Sequence, residues 1–185
     1  MNREEAREWL RRYNDEEDLY NTGLEEELRK VFRENRFMTK PEFLKIIKWK
    51  FMTMPGREQR EKNLIELIPD ESIKAISFAA FKIEDDKLRM KLLGCIPGAG
   101  LAVASTILTF YDPEKYGIYD IHSWRGVMET KEPENATLND FEKFLIALRR
   151  KAGSLKMSCR DFEKACFKRD KVIPLIKKKI LRKIV

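Results

Sequence analysis

The amino-acid sequence predicts an all-α fold, and three observations support this prediction. Apolar residues recur at helical spacing, and the first set, Ala6, Trp9, Leu10 and Tyr13, follows the i, i+3, i+4, i+7 pattern. No stretch of the 185 residues sustains the two-residue alternation typical of a half-buried strand. Proline, glycine and helix-capping residues separate the apolar stretches at intervals that suit short helices. With 43% hydrophobic residues, the chain can form one compact core.

The N-terminal half is predicted to contain four further helices. The clearest of them begins at a capping box formed by Thr39 and Glu42, has Pro41 in its first turn, and extends to Phe51. Another follows the turn residues 21–23, and a third ends before Pro69. These other helices are expected at residues 24–32, 57–68 and 72–82.

The most informative stretch, residues 92–108, is predicted to form a helix, a tight turn and a second helix. Gly98 and Gly100 tolerate positive φ and carry no Cβ, while Pro97 discourages the first helix from continuing. The amide groups of such a turn and of the helix behind it point outward together and make a small anion site. An ordinary corner between two helices is the alternative. The residues expected to contact a phosphate are Pro97, Gly98, Ala99, Gly100 and Ala102.

The overall charge points to a polyanionic partner or to simple solubility, and charge alone does not choose between them. The net charge is +7 and the pI is about 9.2, and residues 141–185 hold fifteen basic and four acidic side chains. The densest basic run, residues 177–183, is either a solvated helix face or a contact to a nucleic-acid backbone. Charged residues make up 37% of the chain and Gln59 is the only glutamine, a balance typical of thermophile proteins.

Cysteine and histidine usage argues against a metal or disulfide framework. Cys95, Cys159 and Cys166 are scattered and form no CxxC pair, so we expect reduced thiols, and His122 is the only histidine. No metal or cofactor is expected. The N-terminus has no apolar segment of the kind found in signal peptides, and no apolar run is long enough to span a bilayer. We therefore expect a cytoplasmic protein without a membrane partner.

A second informative stretch, residues 111–125, contains the candidate catalytic residue. Asp120 precedes an apolar helical pattern, so it can cap a helix. It also follows the phosphate-binding turn closely in the chain, so its carboxylate could face a bound nucleotide. Both roles are compatible with one side chain.

Six other residues are weaker candidates for lining or supporting a pocket. The aromatic and methionine side chains among them occur in core positions more often than in pockets. We favour a supporting role for His122, through a carbonyl or a phosphate, and Arg125 could pair with a phosphate or a local carboxylate. These six residues are Trp49, Met52, Met54, His122, Trp124 and Arg125.

Residues 92–125 as a whole resemble the signature of the HhH-GPD superfamily of base-excision DNA glycosylases. The residues that carry the resemblance are the turn at 96–100, Ala104, the run Tyr119-Asp120-Ile121-His122, and Arg125. The turn and its flanking helices are also similar to the helix-hairpin-helix motif of nucleic-acid-binding proteins. The family's interval between its lysine and aspartate positions fits here without a gap and places Asp120 on the catalytic aspartate.

The resemblance implies a two-lobed helical fold with a central helix-hairpin-helix at residues 87–110. One lobe would contain residues 1–55 and 111–185, and the other residues 56–110. The implied partner is double-stranded DNA with a damaged or mismatched base, which the protein would meet at the nucleoid as a monomer. The implied reaction is hydrolysis of the N-glycosidic bond of a flipped nucleotide.

One departure from the family pattern bears on the reaction. The lysine that serves some members as an amine nucleophile falls at Ala102, which cannot form a Schiff base. The resemblance therefore implies a monofunctional glycosylase without lyase activity on abasic sites. The alternatives are a DNA-binding protein that kept the fold and lost the chemistry, and a helical protein that binds a partner through its basic tail.

Overall fold

The structure, a computed structural model, describes the backbone of residues 1–16 and 23–184 and the side chains of residues 1–15 and 23–173. Within this part of the chain there are ten helices and no strand, which confirms the all-α prediction. Positions 21 and 22 of the predicted turn and the basic run 177–183 lie outside the described side chains. The helices are α1 Arg3–Glu16, α2 Leu24–Asn35, α3 Lys40–Phe51, α4 Pro55–Glu66, α5 Asp70–Lys82, α6 Asp86–Leu93, α7 Leu101–Tyr111, α8 Ile121–Met128, α9 Leu138–Ser154 and α10 Cys159–Ile184.

Helix starts follow the capping residues in the sequence. The predicted capping box at α3 is confirmed, because the Glu42 side chain accepts the Thr39 N–H at 2.6 Å. At α6 the cap residue itself is the acceptor, and Asp85 Oδ1 accepts the Leu88 N–H at 2.7 Å. Such caps satisfy amide groups that the first turn of a helix leaves without a partner.

Helix α10 is the centre of one group of helices and packs against α1, α8 and α9. It approaches α8 very closely at Gly126, where an added Cβ would lie 2.6 Å from the Cys166 carbonyl oxygen. Only glycine allows this approach, because any side chain would collide with the α10 backbone. The close contact fixes the last turn of α8 against α10.

Helix α7 is the centre of the other packing contacts, since its residues 103–110 are all buried. It packs against α2, α3 and α6, and α3 also contacts α4 and α5. Helix α1 thus packs against α10, in the C-terminal segment. Helices α2 and α3 instead contact helices within the segment 56–110. The division of the chain into two lobes stays a prediction. None of the described helices combines the length and the apolar character that crossing a membrane requires.

Candidate active site

A cavity of about 570 Å³ opens where the end of α3 meets the starts of α7 and α8 and one face of α10. Its volume lies in the range of small-molecule sites in proteins and is sufficient for a nucleoside. Aromatic side chains supply much of its wall, and flat rings suit stacking against a nucleobase. The aromatic residues that line it are Tyr13, Trp49, Phe51, Tyr119 and Phe167.

Asp120 lines this cavity and also begins α8, as predicted. Its Oδ1 accepts the Ser123 N–H at 2.8 Å, which holds the carboxylate at the helix N-terminus. Its Oδ2 lies 3.6 Å from the Lys50 Nζ, and 22% of the Asp120 side chain is exposed. The second oxygen is therefore directed to the cavity side, where the lysine and a bound molecule can reach it.

Lys50 is the cationic partner of Asp120 and comes from the last turn of α3. Only 13% of its side chain is exposed. Burial lowers the pKa of the Lys50 amine, and the carboxylates of Asp120 and Glu163 oppose this effect. The amine is therefore easier to deprotonate than an ordinary lysine.

A buried network fixes the wall behind the Asp120–Lys50 pair. The Ser123 hydroxyl donates to Glu163 Oε1 at 2.6 Å, and the Arg160 guanidinium donates to Glu163 Oε2. Arg160 also donates to Glu25 at 2.6 Å and thereby connects α2 to α10. Burial raises the pKa of the Glu163 carboxyl, and Arg160 opposes this change. Because the Ser123 N–H also donates to Asp120 Oδ1, the network restricts where the Asp120 carboxylate can lie.

The predicted phosphate-binding turn lies at the surface beside the cavity. Pro97 and Gly100 are exposed, and Ala102 at the start of α7 lines the cavity. Gly98 has a φ of 86°, which other residues rarely adopt. Gly100 differs, since its φ is −59° and an added Cβ would meet nothing within 4 Å. Neither backbone conformation nor packing therefore requires glycine at position 100.

The amide groups of the turn fall into two classes. Ala99 is buried and its N–H donates to the Ile96 carbonyl oxygen at 2.9 Å, so this amide is already occupied. By contrast, within the described part of the chain no acceptor receives the N–H groups of Gly98, Gly100, Leu101 and Ala102. Four open amides at a helix N-terminus form an arrangement that suits an anion.

One acidic side chain approaches this turn from a distant part of the sequence. Glu61 of α4 is buried, and an added Cβ on Gly98 would lie 3.3 Å from Glu61 Oε2. Residues 94–111 themselves contain no acid, so this carboxylate reaches the turn only through the packing of α4. Arg60 pairs with Glu61 at 2.7 Å and offsets part of its charge.

Of the three weaker candidates around the end of α3, two line the cavity and one does not. Trp49 is buried and packs edge to face on Phe110 at 5.1 Å. Met54 is 47% exposed and forms part of the opening. Met52 packs against the hydrophobic core and is not among the lining residues.

The candidates on α8 serve mainly as structural supports. His122 Nδ1 lies 2.8 Å from Asp170 Oδ2, so its partner is a carboxylate on α10. Trp124 is buried and donates its indole N–H to the Lys131 carbonyl oxygen at 3.1 Å. Arg125 forms a two-pronged ion pair with a local carboxylate, Glu132, at 2.6 and 2.7 Å. Of these three predicted residues, only His122 lines the cavity.

Sequence reasoning missed Lys50, although a signal for it was present. Phe43, Ile46 and Ile47 define the buried face of α3, and Lys50 is the i+7 position of that face. Glu163 likewise lies on the buried face of α10, between Cys159 and Cys166. A charge on an otherwise apolar helix face could have identified Lys50. The same pattern does not distinguish Glu163, because the buried residues of α10 also include Arg160 and Lys168. Arg57, Arg160 and Lys171 also line the cavity and were not predicted.

Comparisons with known proteins add no family to this description. No protein-family model matches the chain, and no significant match was found among curated proteins or solved structures. Among the described residues, no three His, Cys, Asp or Glu side chains are grouped as ligands of a metal ion would be.

Proposed function

We propose that the protein is a DNA glycosylase that releases a damaged or mismatched base from a nucleotide flipped out of double-stranded DNA. The observation that carries this proposal is the meeting of two features at one cavity. Asp120 and Ala102 both line the cavity. Ala102 lies at the start of α7, the helix whose first amide groups are open to an anion. In this proposal the phosphate at the turn and the sugar beside the carboxylate belong to one bound strand.

Binding to DNA would use backbone amides first and basic side chains second. The open amides of Gly98, Gly100 and Leu101 would receive phosphate oxygens, and the missing Cβ of Gly100 leaves room for close approach. Arg57 and Lys171, which also line the cavity, add positive charge. Contacts of this kind hold DNA of any sequence, so they position the duplex without selecting the base.

Selection of the nucleotide would come from extrusion and stacking. Unstacking costs a few kcal/mol and is least costly at a damaged or mismatched base. The everted base would then stack against the aromatic wall formed by Trp49, Tyr119 and neighbouring rings.

Asp120 would supply the chemistry of base release. As the N-glycosidic bond breaks, its electron pair leaves with the base, and positive charge develops on the sugar. The Asp120 carboxylate would stabilise that charge and orient the attacking water. The water oxygen bonds to C1′, its proton is lost to solvent, the departing base gains a proton, and an abasic site remains. We assign water to this step because Ala102 carries no amine.

The test is a panel of duplexes that carry uracil, mismatched thymine, an oxidised purine or an alkylated purine, each incubated with protein and then treated with alkali. Base release from at least one duplex is the expected result. Duplex binding without release from any of them would overturn the glycosylase and favour a binding protein that lost the chemistry. Absence of binding at low salt would overturn both and favour a helical protein with another partner.

A further inference from the structure

We propose that Lys50 forms a Schiff base with the abasic sugar, so that the protein cleaves the strand at the site it has generated. This inference rests on the proposed function for the source of the abasic site. It replaces the expectation of no lyase activity, which was drawn from Ala102 alone.

The first support is the position of the amine. Lys50 Nζ lies 3.6 Å from Asp120 Oδ2, and both residues line the cavity that would hold the sugar. Lys50 reaches this place from α3, whereas Ala102 belongs to α7. The Lys50 amine thus lies beside the Asp120 carboxylate, although it comes from a different helix than Ala102.

The second support is the state of the amine. An amine attacks a carbonyl only in its neutral form, and burial makes Lys50 easier to deprotonate. Among the described residues that line the cavity, Lys171 is the other lysine, and its Nζ lies 5.0 Å from the centre of the Phe167 ring. Lys50 is the candidate nucleophile because its amine lies beside Asp120.

The reaction balances without an added oxidant or reductant. The Lys50 lone pair bonds to C1′ of the open-chain aldehyde, and the carbonyl oxygen leaves as water to give a protonated imine. Loss of the C2′ proton to water moves an electron pair toward C3′. The C3′–O bond then breaks, and the downstream strand leaves with a phosphate at its 5′ end. Hydrolysis of the imine then returns the free amine.

The experiment uses a duplex with a pre-formed abasic site, so that it does not depend on base release. Wild-type protein and borohydride should give a covalent protein–DNA adduct, and without borohydride the strand should break before any alkali is added. In Lys50→Arg both products should be lost, because a guanidinium keeps the charge beside Asp120 but is not a nucleophile. Lys48→Arg, an exposed lysine on the same helix, should retain both.

The possible results either support or overturn the assignment of Lys50 as the nucleophile. Mapping of the wild-type adduct to Lys50 by mass spectrometry supports the inference even if the Lys50→Arg protein does not fold. An adduct on another lysine, or no adduct with wild-type protein, overturns it. Base release in the lesion panel would still stand in that case, since water performs that step.

Discussion

Lys50 Nζ and Asp120 Oδ2 lie 3.6 Å apart inside the cavity and join the end of α3 to the start of α8. Opposite charges at this distance attract more strongly when water is largely excluded, although removing them from water has a cost. The side chains are 13% and 22% exposed, so a ligand that enters the cavity contacts a pair with little competing solvent. The chemistry proposed for this protein depends on that pair.

Trapping of an abasic duplex should become faster as the pH rises through the pKa of Lys50. Burial lowers this pKa, Asp120 and Glu163 raise it, and Arg160 lowers it. His122, Arg57 and Lys171 also line the cavity. The neutral fraction of the amine increases with pH, and because the pKa is lowered, the rate should level off at a lower pH than an ordinary lysine would allow. The measurement is the borohydride-trapping rate across a pH series.

The comparison is the borohydride-trapping rate of a simple primary amine on the same abasic duplex, measured across the same pH series. A trapping rate that falls as the pH rises, or that levels off at the pH of the simple amine, would contradict the role given to Lys50.

Gly100→Ala should weaken duplex binding by about tenfold, because a methyl group would occupy the space in which a phosphate approaches the open amides. The backbone at Gly100 suits alanine, and the stability cost of about 1 kcal/mol or less comes from replacing glycine at a helix N-cap. Fluorescence titration of a labelled duplex at fixed salt measures the affinity.

Gly153→Ala is the matched control, since an added Cβ there also meets nothing within 4 Å and the position is far from the turn in the chain. It should leave the affinity unchanged. Equal affinities for Gly100→Ala and wild type would remove the turn from the binding site.

Glu25→Gln should destabilise the fold at neutral pH by on the order of 3 kcal/mol. Burial acts to raise the pKa of Glu25, but Arg160 and Lys164 outweigh it and hold the pKa at about 2. A depressed carboxyl pKa stabilises the fold above the unfolded-state value near 4.5, and this contribution is lost as the pH falls toward about 2. The difference between wild type and variant should therefore shrink across that window in urea unfolding.

Glu26→Gln serves as the control, because its carboxylate is largely exposed and pairs only loosely, at 3.5 Å, with Arg29. Its effect should be within about 0.5 kcal/mol. A Glu25→Gln difference that is independent of pH between 5 and 2 would show that the Arg160 pair does not set the pKa of Glu25.

Local sequence features predicted much of the fold and part of the site. The capping box at Thr39, the helix–turn–helix around Gly98 and the cap at Asp120 depend on residues within a few positions of one another. Such contacts can be inferred from spacing alone. The same reasoning gave the helical class, since periodicity is a property of single segments.

The missed features come from contacts between distant segments. Lys50 meets Asp120 across seventy positions, and Glu61 reaches Gly98 from another helix. In the sequence, Lys50 is one of several lysines in α3, together with Lys45 and Lys48, and only its place on the buried face distinguishes it. Which elements face one another depends on tertiary packing, and a single sequence does not contain that information in a local pattern.

The most direct test of the central claim is single-turnover base release by Asp120→Asn on the lesion duplex that wild-type protein processes fastest. Asparagine caps a helix as well as aspartate, so the fold and duplex binding should be retained while release slows by about 10²–10⁴-fold. Asp85→Asn makes the same change at the α6 cap, which does not line the cavity, and should release base at the wild-type rate. A wild-type rate for Asp120→Asn would contradict the claim that this carboxylate acts on the flipped nucleotide.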